Sequence, residues 1–139
     1  MVLNGLDLRK HAIGVLLIFG CLIWLANTPR YNVKEVDAPG ARELMEQGAL
    51  VIDVRGQEQF DHRHIPGAIL ISVDELNRGI PAKLQAEARE RPIIVYCGQG
   101  LGLGPEGTAI LNKAGFARAV NLKSGIDGWV AAGLPVVKS

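Results

Sequence analysis

Cys97 is the residue whose surroundings in the chain most clearly suggest chemistry. The stretch from Tyr96 to Thr108 reads YCGQGLGLGPEGT, with glycine at 98, 100, 102, 104 and 107. Glycine lets a backbone take positive φ values and curl tightly. A curled loop turns successive N–H groups inward and forms an anion-binding nest, and a helix opening near Pro105 adds its positive end to the same spot. A thiol held there is favoured as thiolate, the nucleophilic form, and a persulfide on the same sulfur is favoured in the same way. The plainer alternative is a buried structural cysteine at a strand end, which has no use for five glycines directly after it. The other cysteine, Cys21, lies in an apolar N-terminal run, so no disulfide between the two is expected. Two cysteines and three histidines give no metal-site spacing, and no cofactor is expected. The segment Gly102-Leu103-Gly104-Pro105-Glu106-Gly107 matches GxGxxG, with Asp127 about twenty residues later. It follows the third apolar strand rather than the first, and Asp127 falls in an expected helix, so the match is read as accidental.

The elements that must position Cys97 alternate between two periodicities. Val33–Val36 reads as a short strand. Asp37 suits a helix N-cap, Pro39 a first turn and Gly48 a stop, with Ala41, Leu44 and Met45 at helical spacing between them. Ala49–Val54 (ALVIDV), Ala68–Ile71, Ile93–Tyr96 and Arg118–Leu122 are short, mostly apolar runs, as in strands buried on both faces. Val73–Asn77, Ala82–Arg89, Pro105–Ala114 and Ser124–Ala132 read as helices, Gly115 stopping the third of these and Ile126, Trp129 and Val130 facing the core in the last. Strands alternating with helices imply an α/β fold, a mostly parallel sheet with helices on both faces. Ligands in such sheets bind at the carboxyl ends of the strands, and Cys97 follows the end of the third apolar run.

The first thirty residues differ in character from the rest. Ala12–Ala26 (AIGVLLIFGCLIWLA) holds fifteen residues without a charge, between Arg9-Lys10-His11 and Asn27-Thr28-Pro29-Arg30. As a helix it would rise about 22 Å, short of the roughly 30 Å hydrocarbon core; snorkelling Arg9 and Lys10 and interfacial Trp24 and Tyr31 make up part of the difference. A cleaved signal peptide would place Trp24 where a small residue is wanted. Lipid attachment at Cys21 is disfavoured by Phe19 and by the apolar residues that continue after the cysteine. The expectation is therefore an uncleaved single-pass membrane anchor with a short linker over residues 1–30, followed by one domain over 31–139. Arg9 and Lys10 ahead of the run suggest a signal-anchor that exports the domain, although Arg30, Lys34 and Arg42 bring the charge tally close to a tie. With 15 Lys+Arg against 14 Asp+Glu, net +1, no basic stripe marks a nucleic-acid-binding protein.

Three blocks resemble the rhodanese family, that of the single-domain thiosulfate sulfurtransferases. VIDVRGQEQFDHRHIPGAILI (51–71) carries an Asp-x-Arg, here Asp53 and Arg55, followed by His64-Ile65-Pro66-Gly67-Ala68. IVYC (94–97) resembles the strand that delivers that family's catalytic cysteine, and GIDGWVAAGLPV (125–136) its carboxy-terminal signature. The resemblance implies a double displacement through a Cys97 persulfide, from thiosulfate or another small sulfane donor to cyanide or a protein thiol acceptor. Gly98, Gln99, Gly100, Leu101 and Gly102 would form the substrate-binding loop, with Asp53, Arg55, Arg63 and His64 in support. Asp53 and Arg55 are read first as residues that hold loops together, His64 as a fold-locking residue, Arg63 as a candidate surface charge. The sequence departs from the family in having no Arg or Lys from Gly98 to Asn112. That disfavours the related phosphatases, which grip phosphate with arginine, and weakens capture of dianionic thiosulfate. The second reading is a non-catalytic rhodanese-like binding or redox-sensing module at the membrane.

Overall fold

The computed structural model describes residues 5–27, 30–85 and 89–139 of the 139-residue chain. It divides into two units, Met1–Arg30 and Tyr31–Ser139. The first is a helix, α1 (Gly5–Asn27). This helix does not stop at the first charge of the apolar run. It continues through His11, Lys10 and Arg9, with Asp7 in its first turn, where a negative charge suits the helix dipole. The segment apolar enough to cross a membrane therefore runs Asp7–Ala26, 20 residues at mean hydropathy 1.7. That is about 30 Å of helix, a full hydrocarbon thickness. A signal sequence has the same length and composition.

The second unit runs β1 (Glu35–Val36), α2 (Ala38–Glu46), β2 (Leu50–Asp53), α3 (Gln57–His62), β3 (Ile69–Leu70), α4 (Val73–Arg78), α5 (Ala82–Gln85), β4 (Ile93–Tyr96), α6 (Leu103–Lys113), β5 (Ala119–Leu122) and α7 (Gly125–Ala131). The five strands form one parallel sheet in the order β1-β5-β4-β2-β3. Side chains alternate across it with period two. Ile52, Val54, Ile93 and Val95 face one way, onto Leu76 of α4 and Leu111 of α6. Val51, Ile94, Tyr96 and Leu122 face the other, onto Ala41 of α2 and Ile126 and Trp129 of α7. Both faces are covered, which is why these strands read as continuous apolar runs.

Local signals act as expected at several ends. Asp37 Oδ1 accepts from Gly40 N–H at 2.8 Å, and Gly48 and Gly115 take positive φ after α2 and α6. Four expectations need correction. Val130 is 38% exposed, whereas Leu134 and Val136 of the C-terminal segment pack against the cluster that holds Ile126 and Trp129. The helix expected over Ala82–Arg89 is α5, Ala82–Gln85; residues 86–88 lie outside the described residues, and Arg89 is in a bend. α3 was not expected, since Gly56 caps it without a side chain and it buries no residue fully. α6 opens at Leu103, two residues ahead of Pro105.

Candidate functional site

Cys97 follows the last residue of central strand β4 and continues the face that α6 covers, 5% exposed. The loop beyond it turns at Gly100, whose N–H donates to Cys97 Sγ at 3.2 Å. Gly100 is the one loop glycine with positive φ, 77°. A Cβ there would also stand 2.7 Å from Ser124 N and 2.8 Å from Leu122 O, so glycine is required twice over. The start of α7 ties down the outgoing chain: Ile126 N–H donates to Cys97 O at 2.9 Å and Asp127 N–H to Gly98 O at 3.0 Å. Gly125 permits that approach, since its Cβ would lie 2.5 Å from both carbonyl oxygens. Gln99, Leu101 and Gly102 are exposed, Leu101 by 82%. The nest expected from five glycines is thus narrower than the sequence suggests, with one backbone N–H on Sγ. Gly104 and Gly107 lie inside α6 and serve packing: a Cβ on Gly107 would press Val54 and Val95, and one on Gly104 would collide with Asn121 Oδ1 and stand 3.1 Å from Cys97 Sγ. This close approach of helix to sheet accounts for the glycines of the GxGxxG match.

Asn121 is a site residue that the sequence reading passed over. It pairs in register with Val95 and is fully buried. Its Nδ2 donates to Gly100 O at 3.1 Å and to Glu35 Oε2 at 2.8 Å, linking β5 to the loop and to β1. The signal was a polar residue inside the apolar run RAVNL, between Val120 and Leu122.

Asp53 and Arg55 form a buried knot at the end of β2. Asp53 Oδ1 accepts from Arg55 N–H and Nε, each at 3.0 Å, and Oδ2 from Arg55 Nη2 at 2.7 Å. The same Nη2 donates to Arg63 O at 2.7 Å, and the guanidinium lies 5.6 Å from the centre of the Tyr96 ring. Burial by itself pulls the Arg55 pKa down; the hydrogen bonds and charge of Asp53 outweigh it and hold the pKa above its usual value. Tyr96 Oη accepts from Ile65 N–H at 3.1 Å. Burial first, and then the charge of Asp53, push the phenol pKa well above its usual value. His64 stacks on Phe60 with ring centres 3.8 Å apart, Nδ1 lies 2.9 Å from Phe60 O, and its backbone pairs with Val137. It closes the C-terminal strap onto α3, a fold-locking position.

Little free positive charge reaches the loop. Arg55 is spent on Asp53, and Arg63 Nη2 pairs with Asp127 Oδ1 at 2.7 Å. Asp127, the acid of the GxGxxG match, therefore has an ion-pair partner of its own. Glu106 turns toward α4, where Asn77 Nδ2 donates to it at 3.4 Å. A cavity of about 120 Å³ between Val54, Arg55, Gly56, Ser72, Val73, Asp74 and Leu103 opens at the carboxyl ends of the strands. A larger one, about 500 Å³ under Trp129, Leu134 and Met45, is lined by none of the loop residues. Among the described residues no group of His, Cys, Asp and Glu is placed to hold a metal ion, and Cys21 and Cys97 are both free thiols.

Comparison with known proteins agrees with this geometry. Residues 37–132 match the family model described as a rhodanese-like domain. The chain is 30% identical over 125 residues to the uncharacterized protein YibN of Escherichia coli strain K12, covering 89% of this chain and 86% of that one. That span exceeds the Tyr31–Ser139 unit, so the likeness runs into the N-terminal segment. It is 29% identical over 105 residues to the thiosulfate sulfurtransferase GlpE of Haemophilus influenzae strain PittEE, covering 76% of this chain and 95% of that one. Among solved structures, the rhodanese-like domain of the Anabaena sp. protein Alr3790 superposes with a TM-score of 0.64 at 27% identity, over 76% of this chain and 79% of that one.

Proposed function

This chain belongs to the rhodanese-like family, and from that premise we propose that Cys97 carries sulfur as a persulfide between a sulfane donor and a thiol or cyanide acceptor. The observation that carries the reading is the placement of Sγ: it ends a central parallel strand, where such sheets bind ligands, and receives the N–H of a loop that glycines allow to fold back over it. Sulfurtransferase is also the activity named for GlpE and for a relative from Allochromatium vinosum, 26% identical over 107 residues.

In the first half-reaction Sγ forms a bond to the outer sulfur of the donor. The donor's sulfur–sulfur bond breaks, and its electron pair leaves with sulfite when the donor is thiosulfate. In the second half-reaction the acceptor attacks the outer sulfur, the persulfide bond breaks, and its electron pair returns to Sγ. Splitting one transfer into two through a covalent intermediate is nucleophilic catalysis. Gly98, Gln99, Gly100, Leu101 and Gly102 frame the outer sulfur. Asp53, Arg55 and His64 act at a distance, by fixing the segments that meet the loop. Arg63, paired with Asp127, keeps α3 against the start of α7, which holds the carbonyls of Cys97 and Gly98. The helix Asp7–Ala26 anchors the domain as a single-pass segment, with the domain on the extracytoplasmic side.

The test is mass spectrometry of the intact chain after incubation with thiosulfate or with a small organic persulfide. The expected result is one added sulfur on Cys97, absent in Cys97→Ser and removed by cyanide as thiocyanate. A folded protein that gains no sulfur from any donor overturns the proposal and leaves a binding or redox-sensing module in its place.

A further inference from the structure

Among the described residues one buried side-chain nitrogen or oxygen has no hydrogen-bond partner, and it is Asn121 Oδ1. Leaving a buried acceptor bare costs roughly 1–3 kcal/mol, so a donor belongs beside it. The amide cannot satisfy the oxygen by turning over. Its Nδ2 faces the Glu35 carboxylate and the Gly100 carbonyl, and both can only accept, so the reversed amide would set oxygen against two oxygens. Oδ1 is therefore held toward α6. There Gly104 leaves a small space bordered by Oδ1 and by Cys97 Sγ, the two atoms nearest to where its Cβ would stand. Register agrees: Asn121 stands beside Val95, and Val95 and Cys97 share one face of the sheet. Sγ already accepts the Gly100 N–H, and two donors border this space, the Sγ–H proton and the Cys97 backbone N–H.

We propose that Asn121 is a positioning residue for Cys97, its Oδ1 accepting the hydrogen bond of the resting thiol while its Nδ2 holds the Gly100 carbonyl. The bonds then close a ring: Gly100 N–H to Sγ, Sγ–H to Oδ1, and Nδ2–H back to Gly100 O. The resting sulfur is bracketed by one donor and one acceptor inside the loop. Adding sulfur breaks the ring at one bond. With thiosulfate, the Sγ–H proton leaves with the departing sulfite as bisulfite, Sγ gains its bond to the outer sulfur, and Oδ1 loses its donor. The loaded and unloaded states thus differ in a bond that reaches from the sulfur through Asn121 to Glu35 on β1. The role rests on the sulfur-carrier reading, but the hydrogen bond itself needs no turnover.

The S–H stretch tests it, in a region of the infrared spectrum free of other protein bands. The full chain carrying Cys21→Ser has one thiol. Its band is expected below the wavenumber of a free thiol in apolar solvent and to move up in Asn121→Ala. Asn121→Asp keeps an oxygen at the Oδ1 position while losing the donor to Gly100, and is expected not to raise the band. Alkylation of Cys97 by iodoacetamide at fixed neutral pH is expected to speed up several-fold in Asn121→Ala and not in Asn121→Asp. A role limited to clamping the loop moves both variants the same way, and that result overturns the proposal. A wild-type band at the free-thiol position overturns it without any variant, which covers the case in which Asn121→Ala fails to fold. A shifted wild-type band in protein that never gains sulfur supports the hydrogen bond and sinks only the transfer reading.

Discussion

Asp53 and Arg55 define the residue scale, because their ion pair is buried from both sides. Removing one partner strands the other without compensation, which typically costs about 3–5 kcal/mol. Asp53→Asn and Arg55→Ala are therefore expected to lower the urea midpoint sharply, whereas Arg63→Ala, whose partner Asp127 is half exposed, is expected to cost under about 1 kcal/mol. Tyr96 belongs to the same knot. Its phenol pKa is raised in the fold, so the stability it contributes is fully present below the ordinary tyrosine value near 10 and is lost as pH climbs beyond it. Unfolding by urea at about pH 9 and about pH 11 should show a fall that is smaller in Tyr96→Phe than in wild type; an equal fall would mean the phenol titrates alike in both states. Asp53, Arg55 and His64 were legible as structural residues from their signature. Asn121 was not, because its importance lies in which atoms converge on its amide, and no spacing in the chain encodes that.

At the scale of elements, the glycines after Cys97 divide by what stands near them. Gly100 bends the loop with positive φ against the backbone of Ser124 and Leu122, and Gly104 lets α6 descend onto Cys97 and Asn121. Gly98 has nothing within 4 Å of its would-be Cβ and does not take positive φ. Gly104→Ala should abolish persulfide formation even though alanine is favoured over glycine in a helix by about 1 kcal/mol, and Gly100→Ala should both destabilise the domain and abolish loading. Gly98→Ala should keep the fold, with its unfolding midpoint unchanged. Measured loading after thiosulfate, compared with the unfolding midpoint of each variant, checks the division. In sequence the five glycines look alike. Packing separates them.

At the scale of the whole molecule the chain is two units, and the folded one, Tyr31–Ser139, has its own two-sided core. Deleting residues 1–30 is expected to move the protein from the membrane fraction to the soluble fraction with its unfolding midpoint unchanged, measured by carbonate extraction and urea titration. A reporter fused after Ser139 reads the side on which the domain stands, expected to be extracytoplasmic. The apolar runs, the periodicities and the three signature blocks established by themselves the parallel α/β class, the family and the candidacy of Cys97, because strand burial and turn chemistry leave their mark in local residue order. The strand order β1-β5-β4-β2-β3, which brings Asn121 beside Val95 and under the Cys97 loop, was decided only in three dimensions. So was the spending of Arg55 and Arg63 on Asp53 and Asp127. Residues 121 and 97 are far apart in the chain, and a contact between two such positions is fixed by how the sheet is assembled rather than by any local pattern.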